Sequence, residues 1–231
     1  MCSPDSQVSA HYLVDEDGEI IQLVDERARA WHAGVSSWAG ETDINSLSIG
    51  IEIQNAGHEE ERPPPYPEEQ IRAVIALCRD IMGRHGISPL RVVGHSDVAP
   101  ARKCDPGEHF PWARLAAAGV AVHVPGGEVL MAGAEEGGEG SLLPESPGAE
   151  DRGRRKPAEA VRALQADLRA IGYGVPLTGI YCEMTRAVVC AFQRRFRPAR
   201  VDGIADEQTR ALIRRARRVF EEGACDGTPV S

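Results

Sequence analysis

"PEEQIRAVIALCRDIMGRHGISPLRVVGHSD", Pro67 to Asp97, decides the fold class. Two glutamates follow Pro67, apolar residues recur at helical spacing from Ile71 to Ile81, and Gly86 ends the run, so the spacing predicts a helix. "LRVVGHSD", Leu90 to Asp97, then reads as a short buried strand running into a loop. Upstream, "SIGIEIQN" (Ser48 to Asn55) is another strand, branched and apolar but interrupted by Glu52. Strand, helix and strand in this order predict an α/β domain with a mixed sheet flanked by helices. "SAHYLVDEDGEIIQLV" (Ser9 to Val24) alternates apolar and polar residues on either side of Asp17-Gly18, the pattern of a tight hairpin.

The chain changes character after residue 124. Residues 125–157 hold 12 Gly or Pro in 33 positions, with recurring acidic residues and no hydrophobic period, which marks a flexible linker. Beyond it, "EAVRALQADLRAIGY", "MTRAVVCAFQRRF" and "DEQTRALIRRARRVF" read as three amphipathic helices, a small all-α domain over residues 158–220 with a tail at 221–231. Charge divides the same way: residues 1–124 carry 10 basic and 19 acidic groups, whereas 156–231 carry 13 basic and 9 acidic, so the two parts are electrostatically different objects.

Composition narrows the function classes. Hydrophobic content of 42% and charged content of 26% are those of an ordinary globular protein. No apolar run approaches the roughly 18 residues of a membrane helix. The basic run "IRRARRVF" (Ile213 to Phe220) lacks aromatic interleaving and a broad basic face, so it reads as a solvated helix face and no nucleic-acid partner is expected. Six cysteines without a CxxC pair indicate neither a zinc ribbon nor a dense disulfide framework. The opening "MCSPDSQVSAHYLV" shows no basic region followed by an apolar one, so no export signal is read there.

Chemistry concentrates in "VVGHSDVAPARKCDPGEHFPW", Val92 to Trp112. Catalytic zinc takes three protein ligands from His, Asp, Glu or Cys and leaves a position for water. His95 and Asp105 can supply two, although a His and an Asp sharing one loop are by themselves more often structural. Glu52, in an apolar strand, needs a partner or a catalytic task because an unpaired buried carboxylate is costly; near a metal it would serve as general base. Lys103 could place a cation over a developing oxyanion, against the plainer reading of a solvent-facing loop lysine.

The stretches "VSAHYLVDEDGEIIQLV", "RAWHAGVSSWAG", "INSLSIGIEIQN" and "GHSDVAPARKCDPGEHFPW", together spanning about residues 7–119, resemble the zinc-dependent N-acetylmuramoyl-L-alanine amidases of the type-2 class, related to peptidoglycan-recognition proteins. The resemblance implies His95 and Asp105 as zinc ligands, Glu52 as catalytic carboxylate, Lys103 as transition-state stabiliser, and residues 1–124 as the catalytic domain. "AVRALQADLRAIGY", "LTGIYCEMTRAVVCAFQRRF" and "VDGIADEQTRALI" resemble the three-helix peptidoglycan-binding module of cell-wall hydrolases. The implied partner is peptidoglycan or a muropeptide.

The family's first zinc histidine lies on a strand upstream of the hairpin. The expectation is therefore a chain shortened at its start, lacking that strand and third ligand, with weakened zinc binding and an open sheet edge. His11 reads as a packing residue of the hairpin and His32 as a cleft-lining, substrate-binding residue, with either a less favoured replacement ligand. Cys104 and Asp97 take supporting roles. Two functions follow: an amidase, or a binder that grips muropeptide without cutting it; a generic helical adaptor has only the last domain in its favour. The wall-binding module favours the periplasm or cell exterior, while a cytoplasmic role in recycling wall fragments stays open.

Overall fold

The hairpin forms where Asp17-Gly18 marks it. β1 (Tyr12–Val14) and β2 (Ile20–Gln22) pair antiparallel, with Tyr12 opposite Gln22 and Val14 opposite Ile20. Asp15 closes the turn by accepting from Gly18 N through its carbonyl, at 3.1 Å, and from Glu19 N through its carboxylate, at 2.8 Å. The computed structural model describes residues 8–57, 64–126 and 155–225. After the short helix α1 (Ile44–Leu47), β3 (Ile51–Ile53) adds to β1 in parallel, giving the mixed order β2-β1-β3 with Leu13 opposite Glu52.

Strand alternation sorts the two faces of this sheet. Tyr12 and Val14 of β1, with Ile49, Ile51 and Ile53 around β3, pack on Ile71, Val74, Leu77 and Ile81 of α2 (Glu68–His85) and on Phe110, Trp112 and Leu115. The helix ends at Gly86, as its sequence predicts. Gln70, fully buried, donates through Nε2 to Val14 O at 3.2 Å and Gln54 O at 2.7 Å, fastening α2 to the ends of β1 and β3. The opposite face carries His11, Gly50 and Glu52.

Leu90–Asp97 is not a strand, contrary to its apolar reading. Ser88 accepts from Leu90 N through its side chain and Pro89 opens a 3-10 turn, Pro89–Arg91. Val92 O accepts from the Arg195 guanidinium in place of a ladder partner, and α3 (His95–Val98) begins at once. A second short helix, α4 (Trp112–Ala117), follows.

The three C-terminal helices are α5 (Arg155–Ile171), α6 (Glu183–Phe196) and α7 (Glu207–Cys225). The loops between them are two copies of one device. Gln165 Oε1 accepts from Gly179 N while its Nε2 donates to Thr178, Ile180 O and Thr185; Gln193 Oε1 accepts from Gly203 N while its Nε2 donates to Asp202, Ile204 O and Thr209. Both glycines take the left-handed conformation, at φ 73° and 71°, that these turns require.

The linker read over residues 125–157 lies, from 127 to 154, outside the described residues, as does the tail beyond 225. The parts on either side share one core. Trp38, Val98, Ala99 and Val124 cluster with Leu168, Tyr173, Phe192, Phe196, Ile213 and Phe220. The Trp38 ring stands edge-on to Tyr173 with centroids 5.1 Å apart, and Ala39 N donates to Gly172 O at 2.8 Å. A three-helix unit too small for a large core of its own thus completes one against the sheet domain.

Candidate active site

The site is built around three histidines with different tasks. His11, 1% exposed, accepts from Gly50 N through Nδ1 at 3.0 Å and meets Ala28 O through Nε2 at 3.0 Å, so its Nε2 carries the proton and both ring nitrogens are used. It buckles β1 to the approach of β3 and has no lone pair left for a metal, in keeping with the packing role read from its place in the hairpin.

His32 lies across Gly50 so closely that a Cβ on that glycine would stand 2.4 Å from the ring. Its Nε2 meets Ser48 Oγ at 2.8 Å; Ser48 gives its own hydrogen to Ile44 O at 2.6 Å, so the imidazole is the donor. Nδ1 is then an unprotonated lone pair, buried and unpartnered. Burial, followed by the charges of His11 and His95, pulls its pKa down to about 4, so the ring is neutral near pH 7. Asn45, 5% exposed, accepts from both His32 N and Ala33 N, fixing the loop that carries the ring.

His95 and Asp105 come together as their spacing suggests: Nδ1 and Oδ2 are 3.0 Å apart. His95 Nε2 lies 3.3 Å from Ala33 O, which brings the α3 loop beside His32. Burial works to raise the Asp105 pKa, but the His95 hydrogen bond and charge, with Lys103, hold it below the ordinary carboxylate value. Tyr66 donates to Pro106 O at 2.9 Å; burial and then the Asp105 charge push its pKa up to about 12, keeping it a donor. Lys103 is half-buried, its N–H bonded to Ala99 O, and its charge acts on Asp105.

Glu52 departs from the argument that singled it out. It is exposed, so no desolvation cost demands a partner. It follows Gly50 by two residues, and since the Gly50 Cβ direction points at His32, alternation sends the Glu52 side chain out on the face of His32.

Among the described residues no three His, Cys, Asp or Glu side chains converge as a metal set, so His95 and Asp105 stand as a pair. Cys104 is exposed and Asp97 is buried behind the site. Three residues were not read from the sequence. Arg102 donates to Ala33 O and Val35 O, at 2.9 and 2.8 Å, and ties the two site loops together; Asn45 and Tyr66 are the others. Each acts on main-chain groups distant in sequence, which leaves no local pattern. The Arg195 partner of Asp97 does leave one: it falls between Phe192 and Phe196 on the buried side of α6.

Comparison with known proteins adds to this geometry. Residues 1–108 match the N-acetylmuramoyl-L-alanine amidase family model, and residues 157–213 the peptidoglycan binding domain. N-acetylmuramoyl-L-alanine amidase AmiD of Escherichia coli K12 is 37% identical over 221 residues, covering 90% of this chain and 73% of AmiD. The 1,6-anhydro-N-acetylmuramyl-L-alanine amidase AmpD of Enterobacter cloacae is 40% identical over 108 residues, 47% of this chain and 55% of AmpD. In structure, AmiD in complex with anhydro-N-acetylmuramic acid-L-Ala-D-gamma-Glu-L-Lys superposes with a TM-score of 0.69 at 32% identity, covering 93% of this chain and 80% of that one. AmpDh3 of Pseudomonas aeruginosa gives 0.72 at 31% identity, covering 93% and 83%. One alignment thus runs through both the sheet part and the helical module, and the chain belongs to the N-acetylmuramoyl-L-alanine amidase family.

Proposed function

We propose that this chain hydrolyses the amide bond between N-acetylmuramic acid and L-alanine in peptidoglycan or muropeptides, with the C-terminal module contacting the same polymer. The observation that carries the reading is the His95–Asp105 pair, closed to 3.0 Å with His95 against Ala33 next to His32, within a chain that aligns over 93% of its length to AmiD bound to its muropeptide substrate. A peptidoglycan binding domain match over residues 157–213 supports the same polymer as partner. No helix among the described residues is long and apolar enough to cross a membrane.

The family is generally zinc-dependent. Imidazole and carboxylate are donor types that zinc takes, and His95 and Asp105 would hold it, supplying Lewis acidity at the scissile carbonyl. The described residues offer this pair where a catalytic site uses three protein ligands, so the fit is partial. The protein groups account for the proton movements. Water adds to the amide carbonyl as Glu52 accepts one of its protons; Glu52 returns that proton to the amide nitrogen, the C–N bond breaks to give the muramic lactyl carboxylic acid and the amine of L-alanine, and the acid's proton passes to the amine, leaving carboxylate and ammonium. Lys103 offsets the charge on the carbonyl oxygen. Neutral His32 lines the cleft as a substrate contact.

The test is release of the L-alanine-headed peptide from a soluble muropeptide by the full chain, with zinc supplied and the free amine measured. Glu52→Gln should lower kcat by about 100-fold or more, with bound zinc and the melting temperature retained. Wild-type rates in that variant would remove Glu52 from the mechanism. Muropeptide bound but never cut by the zinc-loaded wild type would favour the binding-protein reading.

A further inference from the structure

His95 opens α3, and the backbone on either side of it is gripped from the far end of the chain. Arg195 of α6 donates through Nη2 to Val92 O at 3.0 Å and through Nη1 to Asp97 Oδ2 at 2.7 Å. Tyr173, at the end of α5, donates its hydroxyl to the other Asp97 oxygen at 2.7 Å, and Gly94 N donates to Oδ2 at 2.9 Å. The guanidinium also lies 4.3 Å over the Trp112 ring. The side chains of Arg195 and Asp97 are 2% and 1% exposed.

A buried ion pair of this kind has little advantage in stability over an apolar pair of equal volume. What it supplies is direction. The planar fork fixes the separation of Val92 O from the Asp97 carboxylate, the two ends of a short segment with His95 inside it. The bracing extends further: Ser96 N donates to Asp105 O at 2.9 Å, and Ser37 N to Val98 O at 2.8 Å, next to the Trp38 that packs on Tyr173. The α3 segment is therefore tied to the helical module through one buried carboxylate, and the loop of Ser37 and Trp38 through Val98 O and the Trp38–Tyr173 contact.

We infer that Arg195 and Tyr173 are positioning residues for His95, acting through Asp97, so that the peptidoglycan-binding module is a structural part of the catalytic centre as well as a wall anchor. The inference rests on the amidase reading and deepens it. A module that served as an anchor alone would influence cleavage of insoluble wall and leave a small soluble muropeptide unaffected.

The test uses full-length Tyr173→Phe, Asp97→Asn and the double variant. Tyr173→Phe deletes one hydroxyl and keeps the ring against Trp38, so the fold is preserved. On a soluble muropeptide, Tyr173→Phe is expected to lower kcat about three- to tenfold, with KM and sedimentation with sacculi unchanged. In the Asp97→Asn background the same change should have no further effect on kcat, since its route is gone. Amide hydrogen exchange over residues 92–105 should quicken in Tyr173→Phe while that of α2 stays at the wild-type rate. Wild-type kcat together with unchanged exchange would overturn the inference, as would an equal loss of kcat in both backgrounds. If the wild type fails to release peptide, the amidase reading falls; the exchange comparison then decides the bracing alone, quickened exchange supporting it and unchanged exchange overturning it.

Discussion

At Gly50 a single missing methyl group makes room for the site. The His32 ring occupies the space where a Cβ would sit, and its unpartnered Nδ1 would stand 2.7 Å from that atom. Gly50→Ala must push His32 off Ser48 and out of the cleft. We expect a loss of kcat/KM on muropeptide of about 10- to 100-fold, with about 1–3 kcal/mol of stability lost to overpacking, measured by steady-state kinetics and urea unfolding. The residues proposed to bear the chemistry differ in how far sequence exposes them. His95 and Asp105 share one loop, so their meeting was legible from spacing. Glu52 stands out in sequence for a cost it does not bear, because alternation puts it on the face opposite Ile51 and Ile53, where it is exposed. Asp97 reads as a supporting or structural residue, and its partners lie 76 and 98 positions away, beyond any local pattern.

Among the elements, the joint between β1 and α2 depends on Glu26, whose side chain is 9% exposed. It accepts from the Tyr12 hydroxyl at 2.7 Å and pairs with Arg84 and His85 at the end of α2. The Arg84 hydrogen bonds, opposed by burial and aided by His85 and Tyr12, hold the Glu26 carboxyl well below its ordinary value of 4.5. A depressed folded pKa means that the stabilisation is complete above about pH 4.5 and is lost as pH falls below it. The melting temperature of wild type should therefore exceed that of Glu26→Gln near pH 7, and the gap should narrow from pH 4.5 to pH 3. The duplicated glutamine loops give a second test. Gln193→Ala strips Gly203 N and Ile204 O of their partner, leaves Thr209 with Arg197 alone, and should lower stability by about 2–4 kcal/mol in urea unfolding. The hairpin, α2 and the three C-terminal helices were legible because turn residues, caps and apolar period agree in each. Leu90–Asp97 was not, since its two valines suit a strand while Ser88-Pro89 starts a turn and Arg195 takes the carbonyl that a ladder would use.

For the whole molecule, the division at residue 124 that composition announces is a division of charge and not of core. The acidic part and the basic module meet through Asp97 and Arg195, and Trp38 packs among residues of α5, α6 and α7. Calorimetry should accordingly show one cooperative transition, and two separable peaks would mean that the shared core does not couple them. Nothing in a single sequence signals this, because each apolar face is accounted for equally well within its own part. The shared core also has a consequence for connectivity. With the core shared between them, the two parts are expected to associate even when the chain is cut, since a covalent link raises an effective concentration that high protein concentration can replace. Residues 1–126 and 155–231, produced as separate polypeptides and mixed at equal concentration, should recombine into an active pair whose activity rises with the square of concentration while dilute and in direct proportion to it once the fragments are fully paired.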